Sequence, residues 1–214
     1  MSDKPVPGHS QRFIQLTPSE RQQRLEQAIA SRPEGPLWVF AFGSLMWNPA
    51  FEYDLSAAAV LAGWERKFHI WTTTARGTPE NPGLGLCLEK GSGECRGIVY
   101  RLRSQNEARD WQALWDREMN SGVYRARWLG LQTENLGAIT ALTFTVDPAH
   151  RQYAGAMPIE DMAAIMAGAR GKYGRCRDYL AETIREMSHL GVSDPHLSAL
   201  LDLVDTNPIG RVRP

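Results

Sequence analysis

The pattern of hydrophobic and polar positions is clearest at residues 37–42, LWVFAF, where six apolar, strand-forming residues follow one another. The run ends at Gly43-Ser44, and a turn signal follows at Asn48-Pro49. A short apolar run that ends at a glycine is typical of a buried strand. Because no helical pattern follows at once, the sequence predicts a strand that leads into a loop.

The rest of the chain divides into strand-like and helix-like segments. Thr17-Pro18-Ser19-Glu20 is a capping box with proline at the first helical position, which predicts a helix before the apolar run. Strands are predicted at 57–61, 67–73, 84–89, 96–103, 124–131 and 139–146, with a hairpin-like connection at 90–94. Helices are predicted at 104 to about 119, 158–169, 175–190 and 196–205. Many strands around one helix, followed by a helical C-terminal part, predict an α+β fold.

Charge and composition narrow the classes of partner. The chain has 214 residues, with 24 Lys+Arg and 24 Asp+Glu. This balance predicts no global attraction to nucleic acid or to an anionic membrane surface. No apolar run reaches the length of a membrane span, and the start, MSDKPVPGHS, does not resemble a signal peptide. The overall balance does not exclude a local charged patch.

The cysteines and histidines do not form a metal-binding pattern. The three cysteines, an odd number, lack metal-type spacing and favour reduced thiols in a cytoplasmic protein. The five histidines are scattered, without paired-ligand spacing. The sequence therefore predicts neither a metal site nor a bound cofactor.

The loop after residue 42 is the first candidate for chemistry. Gly43 allows a ligand to approach the main chain closely. In such a loop the amides of Ser44, Leu45 and Met46 can converge on an anion. A simple turn at the end of a strand accounts for the same residues, since glycine–serine pairs mark turns in many proteins. The pattern alone leaves both interpretations open.

Glu118 is an acid at an unexpected position. In the predicted helix from residue 104, an apolar stripe runs through Trp111, Leu114 and Trp115, and the next position of the stripe is Glu118. Burial and the C-terminal end of the helix dipole would both raise the pKa of this carboxyl towards the range of a general base. A frayed helix end with a solvated glutamate fits the pattern equally well. The neighbouring Asp116 and Arg117 are predicted to be surface residues.

Other residues are weaker candidates. Ser44 lacks the G-x-S-x-G pattern of a serine hydrolase. Cys87 and Cys95 lie in predicted strands and are expected to be small core residues. Arg76, in the turn-rich loop 75–83, is suited to binding a substrate carboxylate, although a lone loop arginine is commonly solvated. Tyr179 is expected to pack as an ordinary helix residue.

Several segments nevertheless resemble one family, the ChaC family of γ-glutamylcyclotransferases, and within it the branch that acts on glutathione. The segments occur in the family's order and cover most of the chain after residue 36. They are VFAFGSLMWNP at 39–49, GWERKF at 63–68, ARGTPENPG at 75–83, CRGIVYRL at 95–102, LWDREMNSGVY at 114–124 and GRCRDYLAETI at 174–184.

The resemblance implies a fold and a reaction. The expected fold is a small mixed β-barrel-like sheet flanked by helices, occupying 37–214 and preceded by an N-terminal arm and helix at 1–36. The expected reaction is intramolecular cyclisation of the γ-glutamyl group of glutathione to 5-oxoproline, with release of Cys-Gly. Neither a metal nor a cofactor is implied, because the substrate supplies its own nucleophile.

The resemblance also implies roles for individual residues. The family's substrate loop, a Tyr-Gly-Ser-Leu run, falls on residues 42–45, its catalytic glutamate on Glu118, and a tyrosine near the substrate on Tyr179. One departure is Phe42, which stands where the family usually has tyrosine. The substrate-binding residues expected in the loop are Ala41, Phe42, Gly43, Ser44, Leu45 and Met46.

Two alternative functions follow from the same resemblance. One is a cyclotransferase that acts on other γ-glutamyl amines or dipeptides. The other is a non-catalytic binding module that has kept the fold, which the loss of the glutamate would favour. Glu118 is present in this chain.

Overall fold

The computed structural model describes residues 15–207, which form two compact units. The barrel unit comprises residues 15–67 and Leu88–Asp147. The helical unit comprises Phe68–Cys87 and residues 148–207. The helices are α1 Pro18–Ala30, α2 Glu107–Glu118, α3 Ile159–Gly168, α4 Cys176–His189 and α5 Pro195–Thr206. The strands are β1 Trp38–Ala41, β2 Tyr53–Thr72, β3 Gly83–Leu102, β4 Tyr124–Thr133, β5 Gly137–Val146, β6 Arg170–Gly171 and β7 Gly174–Arg175.

Five strands close into a barrel in the order β1-β3-β2-β4-β5. The sheet is mixed, because β1 runs parallel to β5, with Val39 opposite Leu142, while β1–β3, β2–β4 and β4–β5 are antiparallel pairs. The buried side chains include Phe40, Leu61 and Phe144, none more than 1% exposed. The predicted α+β class and the mixed barrel are therefore confirmed.

Two strands are longer than the sequence predicts. Residues 57–61 and 67–73 belong mostly to the single strand β2, and 84–89 and 96–103 mostly to β3. The hairpin predicted at 90–94 is therefore wrong. Its glycines instead make room for Glu65, whose carboxylate would lie 2.4 Å from a Cβ at Gly91 and accepts a hydrogen bond from the amide of Gly93 at 3.0 Å.

Helix α1 packs in the barrel unit. The predicted capping box is confirmed, since the Thr17 side chain and Glu20 bond to each other's backbone amides. Two indole N–H groups bind the helix: Trp115 donates to the carbonyl of Arg21 at 2.9 Å, and Trp128 to that of Ala28 at 3.1 Å. Most of the predicted N-terminal arm lies outside the described residues.

The helical unit contains α3, α4 and α5, close to the three helices predicted at the C-terminal end. The loop 73–82 runs against the short hairpin β6–β7. The amides of Lys172 and Tyr173 donate to the carbonyls of Thr74 and Ala75 at 2.8 and 3.0 Å. Between residues 15 and 207, no helix is both long enough and apolar enough to cross a membrane.

Candidate active site

The candidate site in the barrel unit begins where β1 ends. Beyond Ala41, the chain passes through Phe42 and Gly43 into a single turn of 3-10 helix at Ser44–Met46. The apolar side chains of this segment point into the core, so that Ala41 is 0% exposed and Phe42 9%. We call residues 43–48 the substrate turn, after the substrate loop that the family resemblance implies at residues 42–45.

The amides of the substrate turn fall into two groups. The Met46 amide donates to the Gly43 carbonyl at 2.8 Å, and the Asn48 amide to the Ser44 carbonyl at 2.9 Å. Within the described part of the chain, the amides of Ser44 and Leu45 have no hydrogen-bond acceptor. The sequence predicts an anion site built from the amides of Ser44, Leu45 and Met46. The prediction is wrong for the Met46 amide, which is already hydrogen-bonded. Two adjacent N–H groups remain for an anion.

Glu118 is the last residue of α2, and the apolar stripe that leads to it is buried as predicted. Its side chain is 16% exposed. Burial raises the pKa of this carboxyl above its ordinary value of 4.5, and the positive charge of Arg117 partly opposes the rise. The interpretation of Glu118 as a solvated group at a frayed end is therefore wrong.

Arg117 is predicted to be a surface residue, but its side chain is only 28% exposed and contacts the substrate turn. Its Nη2 donates to Ser44 Oγ at 2.7 Å, its Nη1 donates to the Asn48 carbonyl at 2.6 Å, and its Nε lies 3.3 Å from Glu118 Oε1. The helical stripe could not reveal these contacts, because a long arginine side chain can reach back over its own helix end. One guanidinium thus joins the substrate turn to the buried carboxylate.

Two further residues hold the substrate turn and its approach. The buried Arg66 donates from Nε to the Phe42 carbonyl at 2.6 Å, and the Tyr100 hydroxyl donates to the Met46 carbonyl at 2.8 Å. Sequence pattern gave no signal for either contact, since each joins residues that are far apart along the chain. The backbone on both sides of the Ser44 and Leu45 amides is therefore fixed by side chains from β2 and β3.

In the helical unit, the structure brings Arg76 and Tyr179 together. The guanidinium carbon of Arg76 lies 4.9 Å from the ring centroid of Tyr179, a cation–π geometry. Arg76 also donates to the Tyr173 carbonyl, and Phe68 packs edge-on against Tyr179 with ring centroids 5.8 Å apart. Arg76 is thus held by neighbours rather than extended alone into solvent.

The remaining candidates are core residues. Cys87 and Cys95 are 0% and 1% exposed, in agreement with the sequence prediction. Burial raises the pKa of the Cys176 thiol to about 12. Among residues 15–207, no group of three or more His, Cys, Asp or Glu side chains is arranged to hold a metal ion.

Comparison with known proteins assigns the chain to a family. The model of the family described as ChaC-like protein matches residues 37–207. The chain belongs to the ChaC family. Among curated members, it is 36% identical to the glutathione-specific gamma-glutamylcyclotransferase of Escherichia coli (strain K12), over 91% of this chain and 87% of that protein. It is 32% identical to gamma-glutamylcyclotransferase 2-3 of Arabidopsis thaliana, over 78% of this chain and 88% of that protein.

The fold of this ChaC protein also matches a solved structure. A γ-glutamyl cyclotransferase specific to glutathione from yeast superposes with a TM-score of 0.72 at 19% identity. The match covers 80% of this chain and 96% of the yeast chain. At this identity the match shows the shared fold.

Proposed function

We propose that this protein is a γ-glutamylcyclotransferase that converts glutathione to 5-oxoproline and Cys-Gly. The observation that carries the proposal is the arrangement at the end of α2. A largely buried glutamate with a raised pKa is joined through Arg117 to a turn with two unbonded amides. The names of the curated relatives support the same activity and substrate.

The reaction needs one proton acceptor and one donor. Glu118 removes a proton from the α-ammonium of the γ-glutamyl group, which leaves a neutral amine. The amine nitrogen attacks the γ-carbonyl carbon, and the C–N bond to cysteine then breaks. Glu118 returns this proton to the cysteine nitrogen as the bond breaks, and the attacking nitrogen then gives up a second proton, which also ends on the cysteine amine. The products are 5-oxoproline and Cys-Gly, and water is not consumed.

The substrate turn supplies orientation and charge stabilisation. We assign the amides of Ser44 and Leu45 to the substrate α-carboxylate or to the oxyanion that forms at the γ-carbonyl. Holding a flexible chain in the geometry for ring closure can supply roughly 7–11 kcal/mol of a barrier. Ala41, Phe42, Gly43 and Met46 contribute through the backbone that sets these amides.

Arg76 and Tyr179 are proposed as further substrate-binding residues. For Tyr179 the support is the family resemblance, and for Arg76 it is the positive charge that its contact with Tyr179 holds in place. We place the enzyme in the cytoplasm, which an odd number of cysteines, all of them buried, favours.

The test is a product assay. Purified protein is incubated with glutathione, and 5-oxoproline and Cys-Gly are measured by mass spectrometry, with Glu118→Gln as the background control. Equal amounts of both products, with or without a chelator, are expected. Turnover of other γ-glutamyl dipeptides or amines but not of glutathione would favour the broader cyclotransferase. Glutathione binding without any product would favour the binding module.

A further inference from the structure

The Arg117 guanidinium makes three contacts in two directions. Two of its N–H groups donate to the substrate turn, at Ser44 Oγ and the Asn48 carbonyl, and its Nε lies at an ion-pair distance of 3.3 Å from Glu118 Oε1. The side chain is 28% exposed, so these contacts are only partly shielded from water. A planar guanidinium presents its donors in a fixed fork, so that the three acceptors are held relative to one another.

Through its hydrogen bonds to Ser44 and Asn48, the Arg117 side chain bridges two residues of the substrate turn. The backbone already joins the same two residues, because the Asn48 amide donates to the Ser44 carbonyl. Arg117 therefore ties both ends of the turn to the end of α2. The direction of the Ser44 and Leu45 amides depends on this turn, so the tie also fixes where an anion would sit relative to Glu118.

The contact with Ser44 also orients a hydroxyl group. Since Ser44 Oγ accepts a hydrogen bond from Arg117, its own proton is left to donate elsewhere. A donor that itself accepts a charge-assisted hydrogen bond is polarised by it. The hydroxyl thereby becomes a third donor next to the two unbonded amides.

Arg117 is the charged group that opposes the effect of burial on the pKa of Glu118. Burial raises the pKa of the carboxyl, and Arg117 lowers it. The turn at 43–49 and the segment 119–123 contain no ionisable side chain. On α2 itself, Asp116 accepts a hydrogen bond from Gln112 on the exposed face.

We propose that Arg117 is a positioning residue that holds the substrate turn and the carboxylate of Glu118 in register. The proposal rests on the cyclotransferase function proposed above. It assigns two separable effects to one side chain. The two hydrogen bonds from Arg117 to Ser44 and Asn48 affect substrate affinity, because they hold the substrate turn. The positive charge of Arg117 affects the pH at which Glu118 can accept a proton, because it opposes the rise in the pKa of that carboxyl.

The variants Arg117→Gln and Arg117→Lys separate these effects. The control is Arg125→Gln on β4, which breaks an ion pair with Asp147, the residue after β5. For Arg117→Gln we expect kcat/KM to fall by about 10²-fold, the cost of a misplaced site. The acid limb of its pH profile should move to higher pH. Arg117→Lys should restore the acid limb but not KM, because lysine keeps the charge and lacks the fork. Arg125→Gln should match the parent.

A stability measurement tests the same coupling without activity. Melting temperatures of Arg117→Gln, Glu118→Gln and the double variant at several pH values form a double-mutant cycle. We expect non-additive effects at neutral pH that disappear in acid, where Glu118 is protonated. Additive effects, or an unchanged acid limb and KM in Arg117→Gln, would overturn the role of Arg117. A parent enzyme that does not turn over glutathione would instead overturn the proposed function, with the cycle still reporting on the Arg117–Glu118 pair.

Discussion

At the scale of single residues, the central feature is a carboxyl group that is costly to bury and yet lies at the end of an apolar stripe. For Glu118→Gln we expect kcat to fall by about 10²–10⁴-fold, the usual cost of losing a general base. The amide keeps the shape of the side chain but cannot accept the proton. KM should change little, because the amides of Ser44 and Leu45 are untouched. Steady-state kinetics with glutathione checks this, and a retained kcat would remove Glu118 from the mechanism.

The same variant should abolish one pH dependence of stability. Burial raises the pKa of Glu118 above 4.5, so the folded state binds the proton more tightly than the unfolded state. The parent therefore loses stability as pH rises from about 4.5 through the folded pKa, and the loss is complete above it. Glu118→Gln removes this pH-dependent loss of stability, because glutamine does not ionise. Its melting temperature relative to the parent should rise with pH across that window, whereas an equal difference at every pH would mean that the carboxyl pKa is not raised.

The substrate turn is tested at Gly43, which is buried at the start of the turn. Gly43→Val places a branched side chain beside the Ser44 and Leu45 amides, where the substrate anion is proposed to sit. We expect a rise in KM that far exceeds any change in melting temperature. Gly130→Val is the matched control, because a Cβ at Gly130 meets no atom within 4 Å. Near-parent KM in a folded Gly43→Val would leave the turn without a role in binding.

Sequence periodicity reached Glu118 but not Arg117. A helical stripe reports which side chains face the core, and Glu118 continues the line of Trp111, Leu114 and Trp115. The stripe does not predict which residues a long, flexible side chain beside it will contact, and Arg117 is such a side chain. Likewise, the contact between Arg66 and the Phe42 carbonyl joins β2 to the residue before the turn, and only the closed sheet brings them together.

At the scale of secondary structure, β1 and β3 approach each other closely at Gly97. A Cβ there would lie 2.2 Å from the Ala41 carbonyl oxygen and 2.9 Å from the Phe40 ring. Because Ala41 is the last residue of β1, Gly97→Ala must displace the strand end that leads into the substrate turn. We expect lower stability, typically about 1–3 kcal/mol for overpacking, together with lower activity.

The control for this variant is the same substitution on another barrel strand. Gly130 in β4 has open space around its Cβ position, so Gly130→Ala should keep activity and gain up to about 1 kcal/mol from reduced freedom of the unfolded chain. Denaturant titration of both variants gives the comparison. Equal stability of Gly97→Ala and Gly130→Ala would contradict the close approach of β1 and β3.

The helices were easier to predict than the long strands for a physical reason. Thr17 and Glu20 cap α1 through contacts within one turn, so local sequence determines the helix start. In β3 the glycines at 91 and 93 resemble a turn, yet they serve the close approach of Glu65 from a neighbouring strand. A glycine pair has the same local signature in both cases, and only the non-local partner distinguishes them.

At the scale of the whole molecule, barrel closure depends on contacts that no local pattern specifies. The parallel pairing of Val39 with Leu142 joins an early strand to one about a hundred residues later. The apolar run at 37–42 showed that β1 is buried, as parallel pairing requires, but not which strands flank it. The family resemblance implied a mixed barrel, but neither the resemblance nor the periodicity predicted the order of its strands.

Burial throughout both units can be measured with the cysteines as probes. Cys87 and Cys176 belong to the helical unit and Cys95 to the barrel unit, and each is at most 1% exposed. The Cys176 thiol also donates to the Leu84 carbonyl at 3.1 Å, and burial raises its pKa to about 12, which disfavours the reactive thiolate near neutral pH. We expect no rapid reaction with an aromatic disulfide reagent in the native protein and three reactive thiols after denaturation.

Mapping the labelled peptides along a denaturant series extends this measurement. Labelling of a buried thiol requires local or global opening, so each cysteine reports the opening of its own surroundings. If one unit opens before the other, Cys95 and the pair Cys87 and Cys176 should be labelled at different denaturant concentrations. A single shared midpoint indicates one cooperative transition. Rapid labelling of Cys176 in the native protein would contradict its burial. A thiol that reacts quickly must be accessible to the reagent, whereas the Cys176 thiol is packed against Leu84.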